Sequence, residues 1–229
     1  MRAYKETIVI SVGGSLLVPD RVDVDFISRL KDMVRFFIND GYQIALIIGG
    51  GKTSRRYGEV ASSFSHISNE DLDWIGIKSI HLNAELIKRC YGDLDIHPEV
   101  ILKREDISKV TESLVIVGAW KPGHSSDYNA VTMAESFGGK KVINFSNISY
   151  VYDMDPVKYP DAKIIETLTW DKYLTLIPTK WEANLSAPFD PVASRKAQEL
   201  GMTVAILGSS LENLKNYLDG NPFEGSIIS

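Results

Sequence analysis

Residues 7–15 read Thr-Ile-Val-Ile-Ser-Val-Gly-Gly-Ser, and residues 43–52 read Gln-Ile-Ala-Leu-Ile-Ile-Gly-Gly-Gly-Lys. Each is a short apolar run, β-branched for most of its length, that stops at glycines. Such runs are strands buried on both faces, as in a parallel sheet. Between them, Phe26, Ile27, Leu30, Met33, Val34, Phe37 and Ile38 recur at the helical period, which predicts a helix over residues 25–39. Asp40-Gly41 ends it, with Gly41 suited to a left-handed cap.

The alternation continues outward from this unit. A helix is predicted after the triple glycine, with Tyr57, Val60, Ala61 and Phe64 inward, then a long helix over 71–90 and a short strand over 98–102. Residues 114–117 form a strand running into Gly118, 127–137 a helix closed by Gly138-Gly139, and 141–145 another strand. The polar stretch 147–162, with Pro156 and Pro160, reads as a loop or hairpin excursion. Asp190-Pro191 opens a helix with a capping carboxylate and a proline at the first helical position. That helix ends at Gly201, and a strand over 203–207, a short helix over 210–218 and an extended tail follow. Strand, glycine and helix in repetition predict an α/β fold: a three-layer αβα sandwich around a mostly parallel sheet, in one domain over 1–229. Ligands of such sheets sit at the carboxyl ends of the strands, where these glycines fall.

Composition narrows the function classes. The chain has 229 residues, 44% hydrophobic and 24% charged, an ordinary globular profile with room for a large core. No apolar run approaches the ~20 residues that span a bilayer, and residues 1–6 lack the apolar stretch of a signal peptide. A cytoplasmic protein with no membrane partner is expected. Cys90 is alone, which excludes an intrachain disulfide and a cysteine-rich zinc site. The net charge of −5 and the absence of a basic run argue against nucleic acid. His66, His81, His97 and His124 show no metal-ligand spacing, so no protein metal site is expected.

The chemistry therefore gathers at the glycine turns. Glycine lets main-chain N–H groups approach a phosphate, and a following helix adds partial positive charge. Tight strand-to-helix turning needs glycine as well, so one such turn is weak evidence. No G-x-x-x-x-G-K-[ST] and no G-x-G-x-x-G occurs, which disfavours the P-loop and dinucleotide-binding classes. Arg55 could fork onto a phosphate with Lys52 as a point charge nearby, or lie solvated on a helix. Asp73 could accept from ribose hydroxyls or favour a helix N-terminus; Ser125-Ser126-Asp127 could hold phosphate or cap a helix. No nucleophile–base pair is evident.

Taken in order, the motifs resemble the amino acid kinase superfamily, and within it the archaeal-type uridylate (UMP) kinases. The carriers are Val9-Ile10-Ser11-Val12-Gly13-Gly14-Ser15, Gly49-Gly50-Gly51-Lys52 with Arg55, Asp73-x-x-Gly76, and Pro122-Gly123-His124-Ser125-Ser126-Asp127. Tyr152-x-x-Asp155-Pro156, Asp190-Pro191-x-Ala193 and Gly225-Ser226-Ile227-Ile228 complete the likeness. It implies phosphoryl transfer from ATP, with Mg²⁺, to UMP. Gly49, Gly50, Gly51 and Arg55 would hold the acceptor phosphate, Asp73 its ribose, and Ser126 the acceptor near the transferred group. Asp127 would organise the reaction centre. Gly13, Gly14 and Ser15 would line the donor phosphates, and Ser146, Asn147, Tyr152 and Asp155 would bind ATP. The acceptor part would cover about 1–140 and the ATP part about 141–229, and the family's assembly implies a homo-oligomer, a hexamer among UMP kinases.

The chain also departs from the family. Ser11 stands where many relatives have lysine, so Lys52 and Arg195 are the substitute catalytic cations. Gly118-Ala119-Trp120 replaces glycine-glycine-threonine, which puts Trp120 at the acceptor pocket. Ser149-Tyr150 replaces aspartate-glycine in the ATP segment. Two alternatives stay open: a nucleotide-binding relative with a storage or regulatory role, like the molybdenum storage proteins, and a kinase of this fold acting on another small acid or phosphate.

Overall fold

A computed structural model describes residues 4–179 and 187–229. Its elements run β1 (Thr7–Val12), α1 (Gly14–Leu17), α2 (Val24–Asn39), β2 (Gln43–Ile48), α3 (Gly51–Ser62), α4 (Asn69–Cys90), β3 (Leu114–Val117) and α5 (Ser126–Ser136). Then come β4 (Lys141–Phe145), β5 (Val151–Tyr152), β6 (Ile164–Ile165), β7 (Thr167–Leu168), α6 (Trp170–Leu176), α7 (Pro191–Glu199), β8 (Thr203–Leu207), α8 (Leu211–Leu218) and β9 (Ser226–Ile228).

The main sheet has seven strands in the order β3-β2-β1-β4-β8-β9-β7. β1 to β4 and β8 are parallel neighbours; β9 runs antiparallel to β8 and parallel to β7. The period-2 geometry of a strand divides its apolar residues between two layers. Ile8, Ile10 and Val12 of β1 and Ile44, Leu46 and Ile48 of β2 meet α2, the Ala84–Ile87 turn of α4, and α8. Val9, Ala45 and Ile47 face the other way, onto α5, α6 and α7. Both faces are covered, which is why the strands are continuous apolar runs.

Capping is as the residue types require. Asp23 accepts from Phe26 N at 2.9 Å to open α2, and Gly41 closes it at φ +90°. Asp190 accepts from Val192 N and Ala193 N at 2.7 and 2.9 Å, with Pro191 at the first helical position. Ser68 and Asp71 form a capping box at the start of α4, so the acidic residues Glu70 and Asp71 that precede Asp73 are in part helix chemistry.

Two expectations are corrected. Tyr57, Val60 and Phe64 do not face inward: they are 66%, 66% and 54% exposed, and α3 buries none of its residues. The helical period marked an apolar face correctly, but nothing among the described residues covers it. The short strand over 98–102 reduces to single bridges, Ile96 with Leu114 and Ile101 with Val117, because Pro98 cannot donate to a ladder. The 147–162 excursion contains β5 and nearly all of the connection that pairs it with β6 as a hairpin. It is tied to the sheet by Ser226, whose Oγ accepts from Val151 N at 2.8 Å and donates to Ile165 O at 2.6 Å. Among the described residues no helix is long and apolar enough to cross a membrane.

Candidate active site

Strand order reverses at β1: the chain moves outward through β2 and β3, then returns to β4 on the other side. That switch point is where an open α/β sheet leaves a crevice. Three exits meet there: Gly13-Gly14-Ser15 after β1, Gly49-Gly50-Gly51 after β2, and Ser146-Asn147 after β4.

The first two exits touch main chain to main chain. A Cβ on Gly14 would collide with the nitrogens of Gly50 and Gly51, and one on Gly51 with the Gly14 carbonyl; Gly51 also sits at φ +63°. Only glycine fits at both positions. Some amides of this seam belong to the fold: Gly13 N donates to Phe145 O at 2.8 Å and Gly49 N to Val12 O at 3.0 Å. The amides of Gly14, Ser15, Gly50 and Gly51 donate to no main-chain carbonyl among the described residues. They head α1 and α3, where helix geometry leaves N–H groups over.

On one side of the seam a cavity of about 550 Å³ opens between α3, α4 and the 119–126 loop. Arg55, Asp73, Gly76, Lys121, His124 and Ser126 are in its wall. Arg55 donates from Nη2 to Ser15 Oγ at 3.3 Å, joining this wall to the first glycine turn. Asp73 accepts from Gly123 N at 3.0 Å and so also shapes the loop. His124 leans on Tyr128 with ring centroids 4.2 Å apart, and its buried Nδ1 has no hydrogen-bond partner among the described residues. Burial, then the Lys121 and Lys196 cations, hold this imidazole below its ordinary pKa. Trp120 is not in the cavity wall; its indole packs on the core layer around α5, while its neighbours Ala119 and Lys121 face the cavity.

Asp127, in the first turn of α5, lies against the ends of β1 and β4. Ser11 and Asn144 are register partners on β1 and β4, so both side chains leave the sheet on one face and converge on it. Its Oδ1 accepts from Ser11 Oγ at 3.3 Å and Asn144 Nδ2 at 3.0 Å, and its Oδ2 from Asp190 N at 3.2 Å. Burial, with the Asp190 carboxylate adding to it, pushes the Asp127 carboxyl well above the usual range. Asp190 in turn accepts from Ser125 Oγ, which links the α5 and α7 helix starts.

The two candidate cations lie differently. Lys52, in the first turn of α3, has its Nζ 3.7 Å from Asp20, which Arg56 also grips. Arg195 is on the exposed side of α7 with its guanidinium on the Thr179 carbonyl. No bond among the described residues brings either to Asp127.

Beyond the seam a second cavity, about 640 Å³, lies under the hairpin. Tyr150, Tyr152, Met154, Asp155, Leu176 and Ile177 contribute to its mainly apolar wall. Asp155 is partly committed: it accepts from Val157 N at 3.0 Å. Ser146 and Asn147 lie outside this wall, Ser146 beside Gly13, where a Cβ would come within 3.0 Å of the serine Cβ.

Sequence reasoning missed Asn83, His81 and Asn129. Asn83 donates to Gly49 O and Gly50 O at 3.0 and 3.1 Å, His81 Nε2 contacts Ala119 O at 2.8 Å, and Asn129 donates to Gly118 O at 3.3 Å. The available signal was a polar residue inside an apolar helical face, next to Ala84 and one turn before Ile87.

Fold and crevice define an α/β protein with a glycine-lined cleft at its sheet's switch point. The sequence pattern of the amino acid kinase family matches residues 6–208, and the chain belongs to that family. Uridylate kinase of Pyrococcus abyssi is 31% identical over 206 residues, 88% of this chain and 89% of its own. That of Thermoplasma volcanium is 32% identical over 221 residues, 95% of each chain. The crystal structure of uridylate kinase from Archaeoglobus fulgidus superposes with a TM-score of 0.79 at 21% identity, covering 98% of this chain and all of that one, and so shares the fold.

Proposed function

We propose that the chain transfers the γ-phosphoryl group of ATP to a nucleoside monophosphate, UMP, giving UDP and ADP in pyrimidine nucleotide supply. The carrying observation is the seam: two glycine turns in main-chain contact, with four amides to spare, between a cavity that carries the charges of Arg55, Asp73 and Lys121 and a second one under the hairpin. Relatives about 30% identical over nearly their whole length carry the name uridylate kinase, so a storage or regulatory role, or another small-acid acceptor, is not favoured.

UMP takes the charged cavity, its phosphate toward Gly50, Gly51 and Arg55, its ribose toward Asp73, with Ser126 near the transferred group. ATP takes the hairpin side. Tyr152 and the apolar wall suit a flat base, the volume suits a nucleoside, and Gly14 and Ser15 meet the phosphates. Glycine at position 14 keeps the Gly50 and Gly51 amides clear of a side chain that would collide with them. The acceptor phosphate oxygen attacks the γ-phosphorus as its bond to the β-phosphate oxygen breaks, with no covalent enzyme intermediate. This chain contributes alignment and charge neutralisation. Lys52, at the seam, is the better placed of the two proposed cations, while Arg195 reaches the site only by leaving Thr179. Among the described residues no three acidic, histidine or cysteine side chains converge, so Mg²⁺ belongs with the ATP phosphates and water, and Asp127 is the nearest carboxylate candidate. When bound, Mg²⁺ offsets phosphate charge.

The division into an acceptor part over about 1–140 and an ATP part over about 141–229 follows the two cavities. A cytoplasmic homo-oligomer completes the proposal. The exposed Tyr57 and Val60 on α3 and Phe64 just beyond it, with Trp74 and Leu82 on α4, form the face a second copy would cover. Light scattering reads that assembly, and a monomer at micromolar concentration would remove it. Coupled ADP release with Mg·ATP and UMP, CMP, dUMP or small acids tests the reaction. UMP turnover is expected; binding without turnover would return the storage reading.

A further inference from the structure

The two carbonyls that precede the spare amides of the second glycine turn both accept from one side chain, and that of Gly50 accepts at longer range from Ser54 N as well, at 3.4 Å. Asn83, on α4 and only 4% exposed, donates from Nδ2 to Gly49 O at 3.0 Å and to Gly50 O at 3.1 Å. Every peptide bond described is trans, and a trans peptide holds its C=O antiparallel to the next N–H. Drawing the Gly49 and Gly50 carbonyls toward α4 therefore turns the Gly50 and Gly51 N–H groups away from α4. On that far side lies the Gly14 turn.

Three consecutive glycines have no side chain of their own to resist rotation of these peptide planes. A flipped plane would present oxygen, not hydrogen, to an anion. Packing does not explain the residue either: beside Ala84 and Ile87 of the core an apolar side chain would serve, and a buried amide is tolerated only when its polar atoms are used. The arrangement recurs at the β3 exit, where Asn129 holds Gly118 O and His81 holds Ala119 O.

We infer that Asn83 is a positioning residue for the acceptor phosphate: by holding the Gly49 and Gly50 carbonyls it aims the Gly50 and Gly51 amides into the crevice. The inference rests on the acceptor reading above. It is tested on the full chain by calorimetry with UMP and with uridine, and by ¹H–¹⁵N spectra of the glycine amides.

In the wild type, UMP should move the Gly50 and Gly51 amide protons downfield and uridine should not. Asn83→Ala should raise the UMP Kd about tenfold or more and leave the uridine Kd unchanged. Asn83→Ser, which keeps one donor, should fall between. A variant with the wild-type ratio of UMP to uridine affinity, or with equal losses for both, overturns the inference. Should neither variant fold, the wild type decides: UMP that binds while both glycine amides stay unmoved overturns it. A wild-type chain that takes up no UMP overturns the functional reading along with it.

Discussion

The two cavities are built from different materials. The charged one is framed by α3, α4 and the start of α5, of which α4 and α5 pack on the sheet, and its polar groups are mostly held in place: Arg55 by Ser15, Asp73 by Gly123 N, the glycine turn by Asn83. The apolar one hangs from a two-residue hairpin whose ties to the sheet include the single hydroxyl of Ser226. Discrimination by hydrogen bonds needs fixed partners, whereas a flat ring needs little more than a greasy slot. The rigid side is therefore suited to choosing the acceptor, and the hairpin side to taking up the common donor.

Gly14 lies in the seam where the two glycine turns touch, so changing it tests whether the two sides are separable at all. Gly14→Ala pushes a methyl group into the main chain of residues 50 and 51. It should cost about 3 kcal/mol or more in urea unfolding and lower turnover ~100-fold or more. Near-normal activity would mean the turns are not in contact. Arg55→Ala and Tyr152→Ala form the next pair. The first should raise the UMP Kd about tenfold or more with ATP affinity intact, the second should raise the ATP KM about fivefold with UMP affinity intact. Arg55 is exposed, so its loss should leave Tm within about 1 °C. Crossed effects, each variant harming the other ligand, would dissolve the contrast.

The smallest effect is a pH dependence at the boundary. Burial and Asp190 raise the folded-state pKa of Asp127. A group so raised contributes stability below its unfolded pKa, near 4, and loses it as pH climbs through the folded value. Asp127→Asn has no such loss. Its Tm relative to wild type should therefore improve by roughly 2–5 °C between about pH 4.5 and about pH 8. A difference that stays flat across that range would mean the carboxyl titrates normally.

Much of this architecture is legible from residue order because its strands are buried on both faces and end in glycine, a pattern few other structures produce. Gly41 and the Asp190-Pro191 opening are equally readable, since each residue suits a single backbone geometry. α1 and α6 are not, being one turn and seven residues long, too short for a period to register. The α3 face shows the limit of amphipathicity: Tyr57 and Val60 mark a surface that wants cover without saying what covers it. At the site, the glycines, Arg55, Asp73 and Asp127 stand out by type and position. Asn83 does not, because its role depends on carbonyls more than thirty positions away in the chain.

Because main chain lies against main chain where the turns after β1 and β2 meet, no side chain sets the spacing between the two turns on which the proposed transfer relies. Substitutions in the walls can redefine which molecules are gripped at either end while that spacing stays put. The protein thus carries its own ruler, one backbone thick, and the ruler is indifferent to what it measures between.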